Sequence, residues 1–317
     1  MTRAATVARI ENREDWLRDR QRGIGGSDIA AIAGMNPWKS PMGIYLEKIG
    51  EVGDTEPSEA AYWGNVLEDV VAEEFKRRTG WYVERCNRLL AHPEHPWMLA
   101  SLDRKYRDPD TGLWGVLECK TTSAWKRDEW ADESVPPQYL VQVQWYLGVT
   151  GYEQAYLAVL IGGQQYQHIE VERDEEMIAH LITIGGDFWH LVESHTPPAV
   201  DGSEACTEVM RRLYPEEEPG KTAILPPTAR GVIGQYHEAA ARLKVATTER
   251  DYYANELRAL LEDAEAGLFP GDDKPAVTWK AQVARRLDTK RLQAEQPTIA
   301  EQYTTETQSR VLRVKGA

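Results

Sequence analysis

Cysteine is scarce in this chain: Cys86, Cys119 and Cys206 are its three, with no C-x-x-C pair among them. An odd, dispersed set argues against a disulfide framework, a zinc knuckle or an iron–sulfur cluster. It suits a reducing compartment, so the chain reads as cytoplasmic. No apolar run reaches the roughly 18 residues of a membrane span, and the N-terminal stretch Met1–Ile10 lacks the apolar centre of a signal peptide. No membrane partner is therefore expected. Phe occurs three times against eleven Trp and fourteen Tyr. Most aromatic rings thus carry a polar edge, which places them at the surface or beside a polar cleft. An overall positive charge is also missing: the formal net charge is −14. Its distribution is uneven. Residues 1–50 hold eight basic and six acidic side chains, 271–317 nine and six, and 51–270 twenty and 39. A general attraction to nucleic acid is excluded, and any such contact must be a local basic channel.

At 317 residues, 42% of them hydrophobic, the chain can bury a core of one or two domains. Residues 14–22 read as a short helix. Ser27 is placed to N-cap a second over Asp28–Ala33, stopped by Gly34, and Pro41–Ile49 is a third. A polar loop over 51–59 precedes Ala60–Arg78, whose apolar set Ala61, Val66, Leu67, Val70, Val71 and Phe75 is helical, with Gly80 as its stop. Strands are expected at Tyr82–Ala91, Trp97–Tyr106 and Leu113–Thr121. Pro136-Pro137 opens a helix that runs through Leu147 and ends by Gly151. Tyr152–Ile161 and Gln165–Glu172 flank Gly162-Gly163 as a hairpin, and Asp174–Ser194 is a long amphipathic helix. The prolines, glycines and Glu216–Glu218 make 201–228 a linker or crossover between a core of residues 1–200 and an extension of 229–317. In that extension Ala229–Glu265 is helical, with Ile233, Tyr236, Ala240, Leu243, Leu257 and Leu261 suited to packing on the body. A strand at Val277–Ala284, a basic helix at Leu287–Glu295 and a strand at Ser309–Val314 follow.

Four pieces carry chemistry. Glu118 and Lys120 lie two apart on a strand, hence on one face, and a short return brings Asp103 beside them. Two carboxylates and an ammonium suit a hard divalent cation and a water nucleophile, which points to phosphodiester hydrolysis. Glu68, in Trp-Gly-Asn-Val-Leu-Glu, sits on the apolar side of its helix as a further carboxylate. Gln138, Gln142 and Tyr146 are four apart and share a helix face. Arg20-Gln-Arg22-Gly-Ile-Gly-Gly-Ser27-Asp28 couples two arginines to a Gly-rich turn and a hydroxyl, an anion-binding pattern. Taken singly, each has an ordinary reading as a solvated edge, a surface Glu, a polar stripe or a plain cap.

In this order the pieces Arg-Gly-Ile-Gly-Gly-Ser-Asp, Trp-Gly-Asn-Val-Leu-Glu, Ala-Ser-Leu-Asp, Leu-Glu-Cys-Lys-Thr-Thr and Gln-Val-Gln-Trp-Tyr-Leu-Gly-Val-Thr-Gly resemble the lambda exonuclease/YqaJ-like viral recombinase family. That family is a branch of the PD-(D/E)xK nuclease superfamily. The resemblance spans roughly residues 16–151, and the superfamily's Pro before the first Asp is replaced by Leu102. It implies an α/β fold: a restriction-endonuclease-like core with a mixed central sheet flanked by helices, followed by a C-terminal helical and small β extension. It implies a DNA exonuclease that depends on Mg²⁺, with Mn²⁺ as a substitute, through two ions. Asp103 and Glu118 would ligate the metals together with the Cys119 carbonyl, and Glu68 would serve a second ion or its water. Lys120 would orient and help deprotonate the attacking water, and Gln142 would hold that water or a phosphate oxygen. Ser27, Ser101 and either Arg20 or Arg22 would hold a terminal 5′-phosphate, with Gln142 and Tyr146 also facing DNA. Resection from 5′ to 3′ would leave 3′ tails for a single-strand annealing protein of the RecT/Beta type. The enzyme would work as a homo-oligomeric ring, a trimer or tetramer, around a double-stranded DNA end.

Other conspicuous residues stay bland. His92 and His95 read as a loop before a strand, and Trp125 and Trp130 as core or cleft-rim packing. Competing functions are a structure-specific or single-strand endonuclease, and a non-catalytic DNA-end-binding protein. The intact Asp103, Glu118, Lys120 set weighs against the last.

Overall fold

A computed structural model describes residues 4–9, 18–52, 58–306 and 308–315. The expected helix over 14–22 and the polar loop 51–59 fall partly outside these; residues 18–20 are helical. The described chain forms two compact units, residues 1–213 and 214–317.

The first unit is built on a five-stranded mixed sheet. Its strands are β2 (Tyr82–Arg85), β5 (Arg104–Arg107), β6 (Trp114–Thr122), β7 (Gln154–Ile161) and β8 (Gln165–Glu172), in the order β2-β5-β6-β7-β8. Only β6 and β7 run parallel. A parallel pair needs a crossover connection, usually helical, and here it includes Pro137–Thr150, numbered α4 below. Gly162 and Gly163, both with positive φ (61° and 72°), close the β7–β8 hairpin where a side chain would be strained. A second, antiparallel sheet joins β1 (Ala5–Arg9), β3 (Arg88–Ala91) and β4 (Leu99–Ser101) in the order β1-β3-β4.

Two expected long strands are therefore each divided. Tyr82–Ala91 becomes β2 and β3, and Trp97–Tyr106 becomes β4 and β5, with each half in a different sheet. The break in the second is at Leu102-Asp103. Leu102 is buried, and the Asp103 carboxylate turns to accept a hydrogen bond from the Cys119 N–H (2.9 Å).

Helices cover the sheet. They are α1 (Gly26–Ile32), α2 (Pro41–Ile49), α3 (Glu59–Thr79), α4 (Pro137–Thr150), α5 (Glu175–Glu193) and α6 (Glu204–Leu213). Local chemistry sets their ends. Ser40 accepts from Gly43 N–H (3.1 Å) ahead of Pro41, and Asp174 accepts from Met177 N–H (2.9 Å). α1 departs from expectation: it starts two residues earlier, with Gly25 as N-cap, and Asp28 accepts from Gly25 N–H (3.0 Å). Ser27 lies inside the helix and is not its cap. The segment expected as a linker contains α6, whose Cys206 is buried in the main core.

The core has two faces. Val116 lies among α4 residues such as Val143 and Leu147, whereas Leu117 and Cys119 pack on Val71, Ala72 and Phe75 of α3. Helix α4 is buried nearly all round, from Val141 to Thr150, and Trp145 donates to the Leu99 carbonyl (2.9 Å). Tyr106 is buried and Trp81 and Tyr156 are half-buried, and the three cluster with Phe75 at ring separations of 5.3–6.0 Å. Trp130 is buried as expected, but Trp125 is 95% exposed, contrary to a packing role. His92 acts as a loop cap, its Nδ1 accepting from the Glu94 and His95 N–H groups (3.2 Å each).

The second unit carries a 33-residue helix, α7 (Ala229–Leu261). Of its expected apolar set, Leu261 is buried. A two-stranded ladder of β9 (Ala266–Gly267) and β10 (Val277–Thr278) replaces the longer strand expected at 277–284. Helices α8 (Thr289–Glu295) and α9 (Pro297–Gln302) follow. The expected strand at 309–314 is irregular chain, held within its unit by Arg310 donating to the Tyr214 carbonyl (3.1 Å). Among the described residues no helix is long and apolar enough to cross a membrane.

Candidate active site

The central strand β6 brings Glu118 and Lys120 onto the face that meets α4, and the β5–β6 pairing sets Asp103 beside them. Glu118 is 1% exposed. Its Oε1 accepts from Lys120 Nζ (2.5 Å) and from Gln142 Nε2 (2.7 Å). Its Oε2 is enclosed and has no protein partner. One oxygen of Asp103 is taken by the Cys119 N–H. Gln142 also donates to the Tyr146 hydroxyl (3.0 Å), so its amide fixes Glu118 to α4. Both of these donations go to protein groups, so Gln142 also positions a carboxylate. Lys120 also lies 5.0 Å from the centre of the Tyr139 ring, which stacks on Trp130. Spacing alone gave no sign of Tyr139.

The electrostatics follow from burial. Loss of hydration pushes Asp103 and Glu118 above the ordinary carboxylate range, and the charge of Glu118 adds to the effect on Asp103. Burial alone would lower Lys120, but Glu118 and Asp103 outweigh it and hold the ammonium above its usual value. In the surroundings supplied by the protein alone, Lys120 is thus held as a charged donor.

Glu68 does approach from α3, as expected, but it is engaged: Arg104 Nη1 donates to its Oε1 at 2.5 Å, and Arg104 also pairs with Asp69. Burial, then the charge of Asp103, raises Glu68. Arg104 is 5% exposed and follows Asp103 directly, a role the sequence hid in Asp-Arg-Lys.

Hard cations take oxygen ligands, and Mg²⁺ in particular is bound through one or two carboxylates while keeping several waters. Among the described residues no group of three or more His, Cys, Asp and Glu side chains forms a ready-made cage. The fit is therefore to a sparse, water-rich site. The buried, unpartnered Glu118 Oε2 beside Asp103 is the kind of orphaned acceptor that a divalent cation satisfies.

The arginine-rich turn lies alongside. Ile24 pairs in parallel with Met98, and Leu99 N–H donates to the Ile24 carbonyl (2.9 Å), so the turn runs next to the strand leading to Ser101 and Asp103. Arg20 points inward, donating to Ser27 Oγ (3.2 Å) and pairing with Asp28. Arg22 is instead exposed, 3.6 Å from Asp19. Of the two, Arg20 is the one brought to Ser27. Ser101 is half-buried at the end of β4, opposite Leu89. Helix α1 has only seven residues, so the anion reading rests on Arg20 and Ser27 and not on its N-terminus. A Cβ on Gly26 would fall 2.6 Å from the Tyr146 ring and 2.9 Å from Gln142 Cγ. The turn therefore rests on the same α4 residues that hold Glu118.

A chain with this arrangement has a relative in YqaJ of Bacillus subtilis (strain 168), 41% identical over 308 residues, covering 96% of this chain and 94% of that protein. The model of the YqaJ-like viral recombinase domain matches residues 15–153. The chain belongs to the YqaJ-like viral recombinase family. All eleven candidate site residues lie within the segment that this family's model matches. Among solved structures, the alkaline exonuclease LHK-Exo of Laribacter hongkongensis superposes with a TM-score of 0.50 at 23% identity, over 64% of this chain and 100% of that one. The same enzyme solved with dAMP gives 0.50 at 21%, over 63% and 97%. At these identities the likeness concerns the fold alone, and it agrees with the mixed central sheet flanked by helices expected from the sequence.

Proposed function

We propose that this chain is a divalent-metal-dependent DNA exonuclease of a phage-type recombination system. It would resect linear duplex DNA from 5′-phosphorylated ends and leave 3′ single-stranded tails. The carrying observation is the buried Glu118 carboxylate: one oxygen is fixed by Lys120 and Gln142, and the other is unpartnered beside Asp103. Membership of the viral recombinase family and the exonuclease fold support the same reading.

Asp103, Glu118 and the Cys119 carbonyl would hold Mg²⁺ or Mn²⁺, with Glu68 joining a second ion on release from Arg104. The bound cation supplies a polarised phosphate and an acidified water. The protein's own contribution is positional. Gln142 holds Glu118 in place, and Tyr146 backs Gln142. Lys120, held against Glu118, would orient the attacking water and help deprotonate it. Arg20 and Ser27 grip the terminal phosphate, which sets how far the scissile bond lies from the chain end. A ring of subunits enclosing the duplex would add processivity without reading sequence, since backbone contacts suffice. A single-strand annealing protein would receive the tail.

The test is digestion of linear duplex DNA with 5′-phosphate or 5′-hydroxyl ends, beside a closed circular plasmid, with Mg²⁺ or with EDTA. The expected result is metal-dependent loss of linear DNA alone, faster from 5′-phosphate. Cutting of the closed circle would replace this reading by an endonuclease, and no cutting at all by an end-binding role.

A further inference from the structure

Two ionised side chains near Arg20 are sealed from solvent. Asp28 is 0% exposed and the Lys48 side chain 2%. A buried ion pair is seldom more stabilising than well-packed apolar side chains of similar volume. What the pair holds is therefore informative. Lys48 Nζ donates to Asp28 Oδ2 (2.7 Å) and to the main-chain carbonyl of Arg20 (2.9 Å). The other Asp28 oxygen takes the Arg20 guanidinium, and Oδ2 also accepts from Gly25 N–H (3.0 Å). Arg20 is thus gripped at both ends, carbonyl and guanidinium, and the glycine that opens α1 is tied to the same carboxylate. The Arg20 side chain retains 21% exposure and meets Ser27 Oγ. A ligand can reach Arg20 and Ser27, but it cannot reach Lys48 or Asp28.

We propose that Lys48 and Asp28 are a buried positioning pair that presets Arg20 and Ser27 for a terminal phosphate and thereby sets the preference for phosphorylated DNA ends. This rests on the exonuclease reading only for the identity of the phosphate carrier. The pair joins α2 to the first turn of α1, twenty residues apart in sequence, and the same Lys48 reaches the Arg20 carbonyl ahead of that helix. Its work is pre-organisation: an arginine already locked in its binding rotamer loses less freedom when the anion arrives.

The probe is a fluorescent hairpin duplex with a 5′-phosphate or a 5′-hydroxyl, bound at equilibrium in EDTA, where metal-dependent hydrolysis is blocked. Wild type should prefer the phosphate by about tenfold or more, the worth of one hydrogen bond between charged groups. Lys48→Met and the isosteric Asp28→Asn should reduce that ratio to within about twofold of unity while leaving affinity for the hydroxyl end within about threefold. Lys48→Arg, which keeps a donor, should restore most of the ratio. A merely structural pair would lower the melting temperature and leave the ratio intact, and that result overturns the proposal. So does a wild-type protein with no phosphate preference. If Lys48→Met does not fold, Asp28→Asn and Lys48→Arg decide. Linear-DNA digestion with Mg²⁺, run on the same proteins, separates the two claims. A wild type that prefers phosphate but degrades nothing refutes the exonuclease and leaves the pair standing.

Discussion

A cation that completes the Glu118 site should stabilise the fold, and the size of the effect can be worked from the structure. The unpartnered Glu118 Oε2 is a buried acceptor whose unmade interaction costs about 1–3 kcal/mol. A ligand at a hundred times its Kd that binds only the folded state adds about 2.7 kcal/mol. For a unit of 213 residues, one kcal/mol moves the melting temperature by about 2–4 °C. Saturating Mg²⁺ should therefore raise it by about 5–10 °C, read by differential scanning fluorimetry against EDTA. Glu118→Gln keeps the shape and removes the charged ligand, and its shift should fall below about 2 °C, what remains when affinity drops about a hundredfold. The pH dependence has a definite sign. Asp103 and Glu118 are held above the ordinary carboxylate range, so the folded state binds protons more tightly than the unfolded chain. Their contribution to stability is complete below the unfolded carboxylate pKa and is lost as pH rises through the raised values. A cation replaces those protons, so its shift should be larger at pH 8 than at pH 5.5. An equal shift in wild type and Glu118→Gln, or none in wild type, would refute the assignment.

Gln142→Leu removes the donor that fixes Glu118 to α4; kcat should drop about 10–100-fold, as for a displaced catalytic group, with the circular dichroism spectrum unchanged. Ser27→Ala should lower the preference for 5′-phosphorylated over 5′-hydroxyl ends in a digestion assay and leave the rate on hydroxyl ends alone. Gly26→Ala forces a methyl against Tyr146 and Gln142, and should reduce both turnover and melting temperature. Phe75→Ala, in the fully buried cluster behind β6, should destabilise by about 3–5 kcal/mol in urea unfolding, and a value below 1 would contradict the packing described.

Where periodicity and caps are local, the sequence was readable. Pro41–Ile49 and Gln165–Glu172 were found at their observed bounds, and Gly80 and Gly151 at the helix ends they make. The divided strands were not readable, because a run of apolar alternation does not say which sheet each half joins. The Leu102-Asp103 break depends on a bond to Cys119, sixteen residues on. Within the site, Asp103, Glu118, Lys120 and Gln142 were legible as motif residues and do meet. The non-local electrostatics were hidden. Lys48 looks like a surface lysine in Leu-Glu-Lys until α2 packs against α1, and Glu68 gives no hint of Arg104, thirty-six residues away. Ser27 suggested a cap because it precedes a helical pattern, but Asp28 does the capping and Ser27 is left to meet Arg20.

The most direct measurement of the central claim is release of nucleotides from 5′-phosphorylated linear duplex DNA by wild type and by Glu118→Gln, each shown to be folded, with Mg²⁺ and with EDTA. The account predicts release by wild type with Mg²⁺ only, and a loss of at least about a thousandfold in the variant, the scale of removing an electrostatic group that acts on the transition state. Release at near wild-type rate by Glu118→Gln would place the chemistry elsewhere in the molecule.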